Sequence, residues 1–526
     1  MLRLRLTPYS ENPAWTWSGA CYGTFDQHSR IEPFDHPMLE HLGATDGRRT
    51  LIIVRERVAN RPACDPEVRT LTPGEYDQAR ESVTEWPTDF VLLETEPAQP
   101  ARITAGSART TPLYLADDGR SLFGSWDMAD LRDHVTGINP REAARLLIYR
   151  PRYSSDTLFR GVHRLTERAV AHFGGSLWIS YPEPALHRQP RQLAADADVL
   201  GAFVDTMDTA MDRRPWVEET TLFHLTGGFD SGTVATRAAE RHPGLLPTAT
   251  LLIGGPGRKQ QIRRRAEMRS QAKFADTDIV IDAMKHPPLA PGCRWVGGDV
   301  ISPTEDPLHY PFVQMARSLS AAGARTVVTG LGGDEMVALT PEEEPHLGLG
   351  EITDAQILPW VGRRAQAALE FADDGIAPPA RVNSMTLLSL ESNAPVLLRH
   401  GLWPVHPFAD PVMVELGEQL PFAWRELKQV QRQRLRAIGM GEDVVHPVER
   451  ESFAEVIEHS LITHAPALFA RMLTEGSPLF DEGLVDPDGL RTAVEHLTSA
   501  RYREEQDSKL LEVLSLHMSA TAFLNS

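Results

Sequence analysis

Along the first third of the chain, apolar residues fall in short runs broken by turn formers. Thr50-Leu-Ile-Ile-Val-Arg55 reads as a strand. Thr111-Pro-Leu-Tyr-Leu-Ala116, a turn at Asp117-Asp-Gly119 and Ser121-Leu-Phe-Gly124 read as a hairpin. The stretch Tyr181-Pro-Glu-Pro-Ala-Leu-His-Arg-Gln-Pro190 punctuates the chain with prolines and reads as a linker. Beyond it the period changes. Val199, Leu200, Phe203, Met207 and Met211 recur at helical spacing. Strand and helix patterns then alternate. Strands are predicted over 221–225, 248–253, 278–281 and 325–329, with helices after Ser231, up to about Phe274 and over 311–322. That alternation predicts a parallel sheet covered by helices. From about Met336 the chain reads mainly helical, with loops such as 340–345. The expected fold class is α/β, with one domain over residues 1–190 and a second over 191–526.

Two junctions in the second domain carry candidate chemistry. Leu225-Thr226-Gly227-Gly228-Phe229-Asp230-Ser231 joins a strand to a helix. Adjacent glycines let the backbone approach a ligand, and the free N–H groups of the helix start face any anion bound there. A carboxylate, Asp230, among such donors is intelligible if it holds a cation such as Mg²⁺. The pattern predicts a nucleoside triphosphate site, without the lysine of a G-x-x-x-x-G-K-[ST] loop. The second junction, Gly330-Leu331-Gly332-Gly333-Asp334-Glu335, closes the strand 325–329. Ligands of open parallel sheets gather beyond the carboxyl ends of strands, so both loops should share one edge. Asp334 would then share a divalent ion with Asp230, and Glu335 would position an amine or a basic side chain.

Bulk properties narrow the field. A chain of 526 residues suffices for two to four domains. A formal charge of −19 argues against a duplex nucleic-acid binder, which needs a basic face. Cys21, Cys64 and Cys293 lie far apart, with no zinc spacing, and suggest reduced thiols. No apolar run approaches the length of a membrane span, and the first residues lack a signal-peptide core. The expectation is a cytoplasmic protein with no nucleic-acid or membrane partner. The basic run Arg258-Lys259-Gln-Gln-Ile-Arg263-Arg264-Arg265 reads as a solvated helix face or as the mouth of an ATP pocket. His224, just before the first loop, reads as a packed strand residue.

At this point the chain resembles the asparagine synthetase type B superfamily. Thr226–Ser231 is similar to its S-G-G-x-D-S pyrophosphate loop, Gly330–Glu335 to its G-x-G-[SG]-D-E element, and His406-Pro-Phe-Ala-Asp410 to its R-x-P-F-L-D segment. Residues 102–131 and 156–165 resemble later parts of its N-terminal glutaminase-like domain. The resemblance implies an Ntn-hydrolase-like α+β sandwich followed by an ATP-pyrophosphatase domain with a helical C-terminal part. It implies ATP and Mg²⁺, with ATP or pyrophosphate at Leu225, Thr226, Gly227, Gly228, Asp230, Ser231, Ile253, Gly298, Gly330, Gly332 and Gly333, and metal at Asp230 and Asp334. A working glutaminase of this kind needs an N-terminal cysteine nucleophile, yet residue 2 is Leu2. The first domain is therefore expected to be inactive, and the amine to arrive with the substrate.

The resemblance also implies an acid about thirty residues before the second loop. Gap-free counting from Gly330 keeps Pro311, Arg317 and Gly323 in register and lands on Asp299, with Glu305 and Tyr310 as alternatives. It implies a lysine in a K-x-x-x-R pattern that grips pyrophosphate. Lys428-Gln-Val-Gln-Arg432 and Arg432-Gln-Arg-Leu-Arg436 compete for that frame. Lys428 is preferred because an ammonium is a compact charge. Asp299, Lys428 and Glu335 are thus the expected catalytic set. The closest functional likeness is to lasso peptide cyclases. These would adenylate an Asp or Glu side chain of a precursor peptide for attack by its N-terminal amine, alongside a leader-binding protein and a leader peptidase. Alternatives are a β-lactam or carbapenam synthetase-like closure using Tyr310 with Glu335, an asparagine-synthetase-like ligase using free ammonia, and an inactive scaffold.

Overall fold

The computed structural model describes residues 1–8, 14–340, 342–343, 357–499 and 502–525. Part of the 340–345 loop lies outside the described residues. Two seven-stranded sheets build the N-terminal domain. One is centred on Leu2–Leu6, flanked by Leu122–Ser125 and Arg30–Pro33. The other is centred on Phe90–Thr95, flanked by Thr50–Glu56 and Ala101–Ala105. The predicted hairpin pairs Tyr114 with Ser125 and Asp117 with Leu122. Its turn is closed by Asp117 and Asp118, whose carboxylates accept from Gly119 and Ser121 N–H groups.

Alternation along Thr50–Glu56 explains why the sheets stack. Ile52 and Val54 face the other sheet, joining Leu2 and Leu4 in one core. Leu51 and Ile53 face the helix Pro73–Thr84 through Tyr76 and Val83. A strand buried on both faces reads as an unbroken apolar run, as this one does. The outer face of the first sheet, through Tyr114 and Ala116, packs on Leu147 and on Leu514 of the C-terminal helix Leu510–Leu524. The order of layers is therefore helix, sheet, sheet, helices. Leu2 is a core residue of this sandwich, and the Cys21 thiol sits elsewhere, 3.3 Å from the Ser18 hydroxyl.

After Leu177–Ser180 the chain has no regular element until the helix Val199–Asp212. Within that stretch His187 and Arg188 pair with Glu418 and Glu415, which fastens it to the second domain.

The second sheet system has five parallel strands in the order Asp278–Asp282, Thr248–Leu252, Thr221–His224, Thr326–Val328, Trp403–Val405. Four match the predicted strands. The fifth, with Pro404 at its middle, is too short to show a period, and proline is tolerated there because the strand lies at the edge. Phe223 faces the helices Phe229–Arg241 and Gly257–Ala272, meeting Val234 and Met268. Its neighbour Leu222 faces the helices His309–Ala321 and Ser384–Leu398, meeting Met315 and Val396. The chain steps outward on one side of Thr221–His224 and returns on the other, so a switch point lies between that strand and Thr326–Val328.

The two domains are joined by buried polar contacts. Glu56 accepts from Arg214 at 2.7 Å and from the Trp403 indole at 2.9 Å. Arg164 and the Tyr114 hydroxyl both reach Glu391, each at 2.6 Å. Among the described residues no helix is long and apolar enough to cross a membrane.

Candidate active site

Both glycine-rich loops rise from the switch point and touch. A Cβ on Gly330 would lie 2.8 Å from the Asp230 carbonyl carbon, and one on Gly333 would lie 2.5 Å from the Asp230 carboxyl carbon. No residue with a side chain fits either position. Gly332 adopts φ +91°, a left-handed conformation open to glycine, and this turns the chain into the short helix Gly333–Met336. In the first loop the Thr226 and Ser231 hydroxyls lie 2.9 Å apart, and Thr226 Oγ1 accepts from Gly228 N–H. Gly228 caps the helix Phe229–Arg241 without a side-chain bond, which leaves the first-turn N–H groups for a ligand.

Lys428 joins the loops. Its Nζ lies 2.6 Å from Asp230 Oδ2 and 2.6 Å from Asp334 Oδ1. Leu427 and Lys428 both have positive φ, at 49° and 59°. Two consecutive left-handed non-glycine residues are strained, and here the strain points an ammonium at two acids. Gln431, one turn into the following helix, donates to Asp230 Oδ1 at 3.0 Å. Burial pushes the Asp230 carboxyl up to about 6, against the pull of Lys428, and Asp334 adds to the rise.

Arg432, the rival of Lys428, turns away. Its guanidinium lies over the Phe229 ring at 4.3 Å and donates to the Leu427 carbonyl at 2.6 Å. The basic run divides. Arg265 is buried against Asp278, Arg258 pairs with Asp282, and Arg263 pairs with Asp443 at the surface. Arg264 alone of these lines the site, held at 2.5 Å from Glu451.

Two chambers meet at the loops, sharing Thr226, Gly228, Asp230 and Asp334. The wider, of about 640 Å³, is lined by Lys428, Arg264, Phe229, Ile253 and Gln261. The other, of about 450 Å³, lies over the helices His309–Ala321 and Ser384–Leu398, with walls of Leu251, Phe312, Met315, Val396 and Leu397. Its polar groups include Asp306, Glu335, Asn393, His224 and His406.

Ile253 borders the wider chamber, but its N–H is given to Gln261 and its carbonyl accepts from Arg258. Leu225 likewise has its N–H on Ala249 and its carbonyl on Arg265. Ile253 can therefore offer a nucleotide apolar contact, whereas Leu225 is fully buried and lines neither chamber. Gly227 turns the loop at φ +95° behind that wall.

Asp299 and Gly298 line neither chamber. Asp299 pairs with Arg294 at 2.6 Å on the surface, its side chain 47% exposed. The acid that reaches the cavity from this region is Asp306, half-buried, with desolvation pushing its carboxyl up. Gap-free counting missed it because the irregular segment between Lys285 and His309 does not keep register. Glu305 points the other way, to Arg399 at 2.7 Å and His309 at 3.0 Å. Burial works against its ionisation, but these partners hold it down to about 2. Tyr310 packs edge-on against His286 outside both chambers. Asp410 caps the helix Pro411–Gln419 and pairs with Arg213. Asp306, Gln431 and Asn393 line or brace the site and were not singled out from sequence, and His406 was noted only as part of the His406–Asp410 segment. Only Gln431 carried a signal, lying one turn beyond Lys428.

The asparagine synthase family model matches residues 202–521, more than half of the chain and all of the five-stranded sheet with both loops. The chain belongs to the asparagine synthase family. No curated protein matches it. Membership makes ATP-dependent amide-bond formation its general chemistry and ATP its co-substrate.

Among the described residues no three His, Cys, Asp or Glu side chains gather to hold a metal. Asp230 and Asp334 nevertheless suit Mg²⁺ carried in on phosphates, which takes one or two carboxylates and fills its sphere with phosphate oxygens and water. Asp230 and Asp334 share one ammonium, that of Lys428, so two carboxylates face a single positive charge, and this donor chemistry fits the ion.

Proposed function

We propose that the protein activates a carboxylate as its acyl adenylate and joins it to an amine within the same peptide, closing a macrolactam as a lasso peptide cyclase does. The observation that carries this reading is the charge of the narrower chamber. Asp230, Asp306, Asp334 and Glu335 line it, and no lysine or arginine does among the described residues. Residues 341–356, mostly outside the described set, contain neither in sequence. A free amino acid such as aspartate brings a second carboxylate, which would be buried there without a cation. A carboxyl side chain on a peptide brings amides instead, and its partner ammonium is welcome among acids. This disfavours asparagine formation from free aspartate. The displaced Tyr310 removes the support for a β-lactam synthetase-like tyrosine–glutamate pair.

In this scheme Thr226, Gly228, Ser231 and the helix N-terminus cradle the phosphates, with Lys428 and Arg264 beside them. Asp230 and Asp334 would hold Mg²⁺, which neutralises charge on the departing pyrophosphate when bound. A carboxylate oxygen attacks the α-phosphorus, and the bond from that phosphorus to the bridging oxygen breaks. The amine nitrogen then attacks the acyl carbon, AMP leaves, and the ammonium proton passes to Asp306 or Glu335. A carboxyl raised by burial suits that acceptor role. In this scheme the amine comes from the peptide, and the first domain supplies no ammonia. A leader-binding protein and a leader peptidase would deliver the peptide. The test is incubation of the full chain with Mg²⁺–ATP and a synthetic peptide carrying a free N-terminus and one internal Asp or Glu. Loss of one water from the peptide with matching AMP and pyrophosphate supports the proposal. ADP and phosphate, or release of glutamate from glutamine at a comparable rate, contradicts it.

A further inference from the structure

Two histidines sit in the narrower chamber and take no part in that scheme. His224 ends the strand Thr221–His224 on the same face as Leu222, so alternation aims it at the helices His309–Ala321 and Ser384–Leu398. His406 follows the edge strand Trp403–Val405. Both line the cavity. In both, Nε2 is buried and has no hydrogen-bond partner. Burial lowers His224 to about 4 and His406 to about 3, so both imidazoles are neutral at neutral pH.

The His406 ring is oriented. Its Nδ1 lies 2.7 Å from Thr329 Oγ1, and that hydroxyl already accepts from Leu331 N–H. The hydroxyl proton is then free to go to Nδ1, which leaves the proton of the neutral ring on Nε2, on the side of the ring away from Thr329. An unpartnered buried polar atom costs free energy comparable to a lost hydrogen bond. Two of them in one cavity make sense if a ligand satisfies them. The ligand group should be polar and uncharged, because neutral rings in a chamber lined by acids offer an anion no counter-charge, and an ammonium cannot accept the His406 Nε2–H. An amide donates and accepts while uncharged, and on a peptide two of them flank every acidic side chain.

We infer that His224 and His406 form a subsite that hydrogen-bonds a main-chain amide next to the activated carboxyl group, and so select an acid carried on a peptide. This rests on the adenylating reading above and adds to it the residues that recognise the substrate.

The test uses two small acids with the full chain and Mg²⁺–ATP, read as acid-dependent exchange of pyrophosphate into ATP. One is N-acetyl-aspartate N-methylamide, whose only carboxylate is flanked by two amides. The other is free aspartate. The wild-type chain should favour the capped acid in kcat/KM. His224→Leu and His406→Leu should each raise KM for the capped acid roughly 10-fold or more, the loss expected when a buried hydrogen bond to substrate is removed. The KM for ATP should stay within about twofold, since uniform loss of acid binding does not touch the nucleotide. His224→Gln and His406→Gln, which return an amide N–H near the place of Nε2, should recover part of the loss. Thermal melting with Mg²⁺–ATP checks that each variant folds and binds nucleotide.

Unchanged KM for the capped acid in leucine variants that fold would overturn the subsite and leave adenylation standing. A preference for free aspartate would also overturn the subsite. Exchange with neither acid would overturn the subsite together with the adenylating reading.

Discussion

At the residue scale, the site depends on what cannot be changed without collision or loss of charge. Gly333 packs on the Asp230 side chain, so Gly333→Ala must displace the carboxylate. We expect a loss of about 1–3 kcal/mol in stability from this overpacking and a weaker grip on Mg²⁺–ATP, measured by denaturation and calorimetry. Lys428 bridges both acids, and Lys428→Ala should lower kcat by roughly 100-fold or more, as removal of a preorganised charge at a transition state does. Arg432→Ala should cost much less, since that side chain stacks on Phe229 instead. Equal losses in the two variants, measured at saturating ATP, would contradict the assignment. The buried histidines give a pH dependence whose sign is fixed. Unfolded, each titrates near its ordinary value of 6.5; folded, His224 titrates at about 4 and His406 at about 3. As pH falls below about 6.5 the unfolded chain takes up protons that the folded chain refuses, so stability drops, by up to about 1.4 kcal/mol per pH unit for each ring. Stability is full above that range and stops falling once pH has passed the folded values. Denaturant melts between pH 7 and 5 should show a shallower slope for His224→Leu than for the wild-type chain.

At the element scale, the helix Ser384–Leu398 connects the two domains to the chemistry. Ser389, Asn393, Val396 and Leu397 line the narrower chamber, while Glu391 on the same helix takes Arg164 and Tyr114 from the N-terminal domain. Arg399, just past its end, holds Asp127 of that domain and Glu305, the neighbour of Asp306. The first domain therefore fixes one wall of the narrower chamber. Arg164→Ala leaves Glu391 buried without its charged partner, with only the Tyr114 hydroxyl donating to it, a loss of about 3–5 kcal/mol. It should raise KM for the carboxylate more than KM for ATP. Equal rises would place the effect in general unfolding.

How much of this was legible depended on length and period. Four strands, each with two or three apolar residues bounded by polar or turn-forming ones, declared themselves in sequence. The edge strand Trp403–Val405 is three residues with a proline and has no period to read. Likewise the two glycine loops were legible because the chemistry needs small residues and acids in fixed order. Asp306 was not, because it sits in an irregular segment where only tertiary packing decides which acid turns inward. His224 was read as a packed strand residue; it is half-buried at the end of its strand, and that its Nε2 is left without a partner is visible only once the helices are in place.

At the scale of the whole molecule, one arrangement makes the rest follow: a sandwich domain braced against a five-stranded parallel sheet, with both acidic loops at its switch point. The measurement that tests the account most directly follows the oxygen atoms. The full chain is incubated with Mg²⁺–ATP and a peptide whose single Asp or Glu carboxylate carries heavy oxygen. If the carboxylate attacks the α-phosphorus, one heavy oxygen moves into AMP for each amide bond made, and none appears in pyrophosphate. Heavy oxygen in inorganic phosphate, with ADP as its companion product, would mean that the terminal phosphoryl group is the one attacked and would contradict the account.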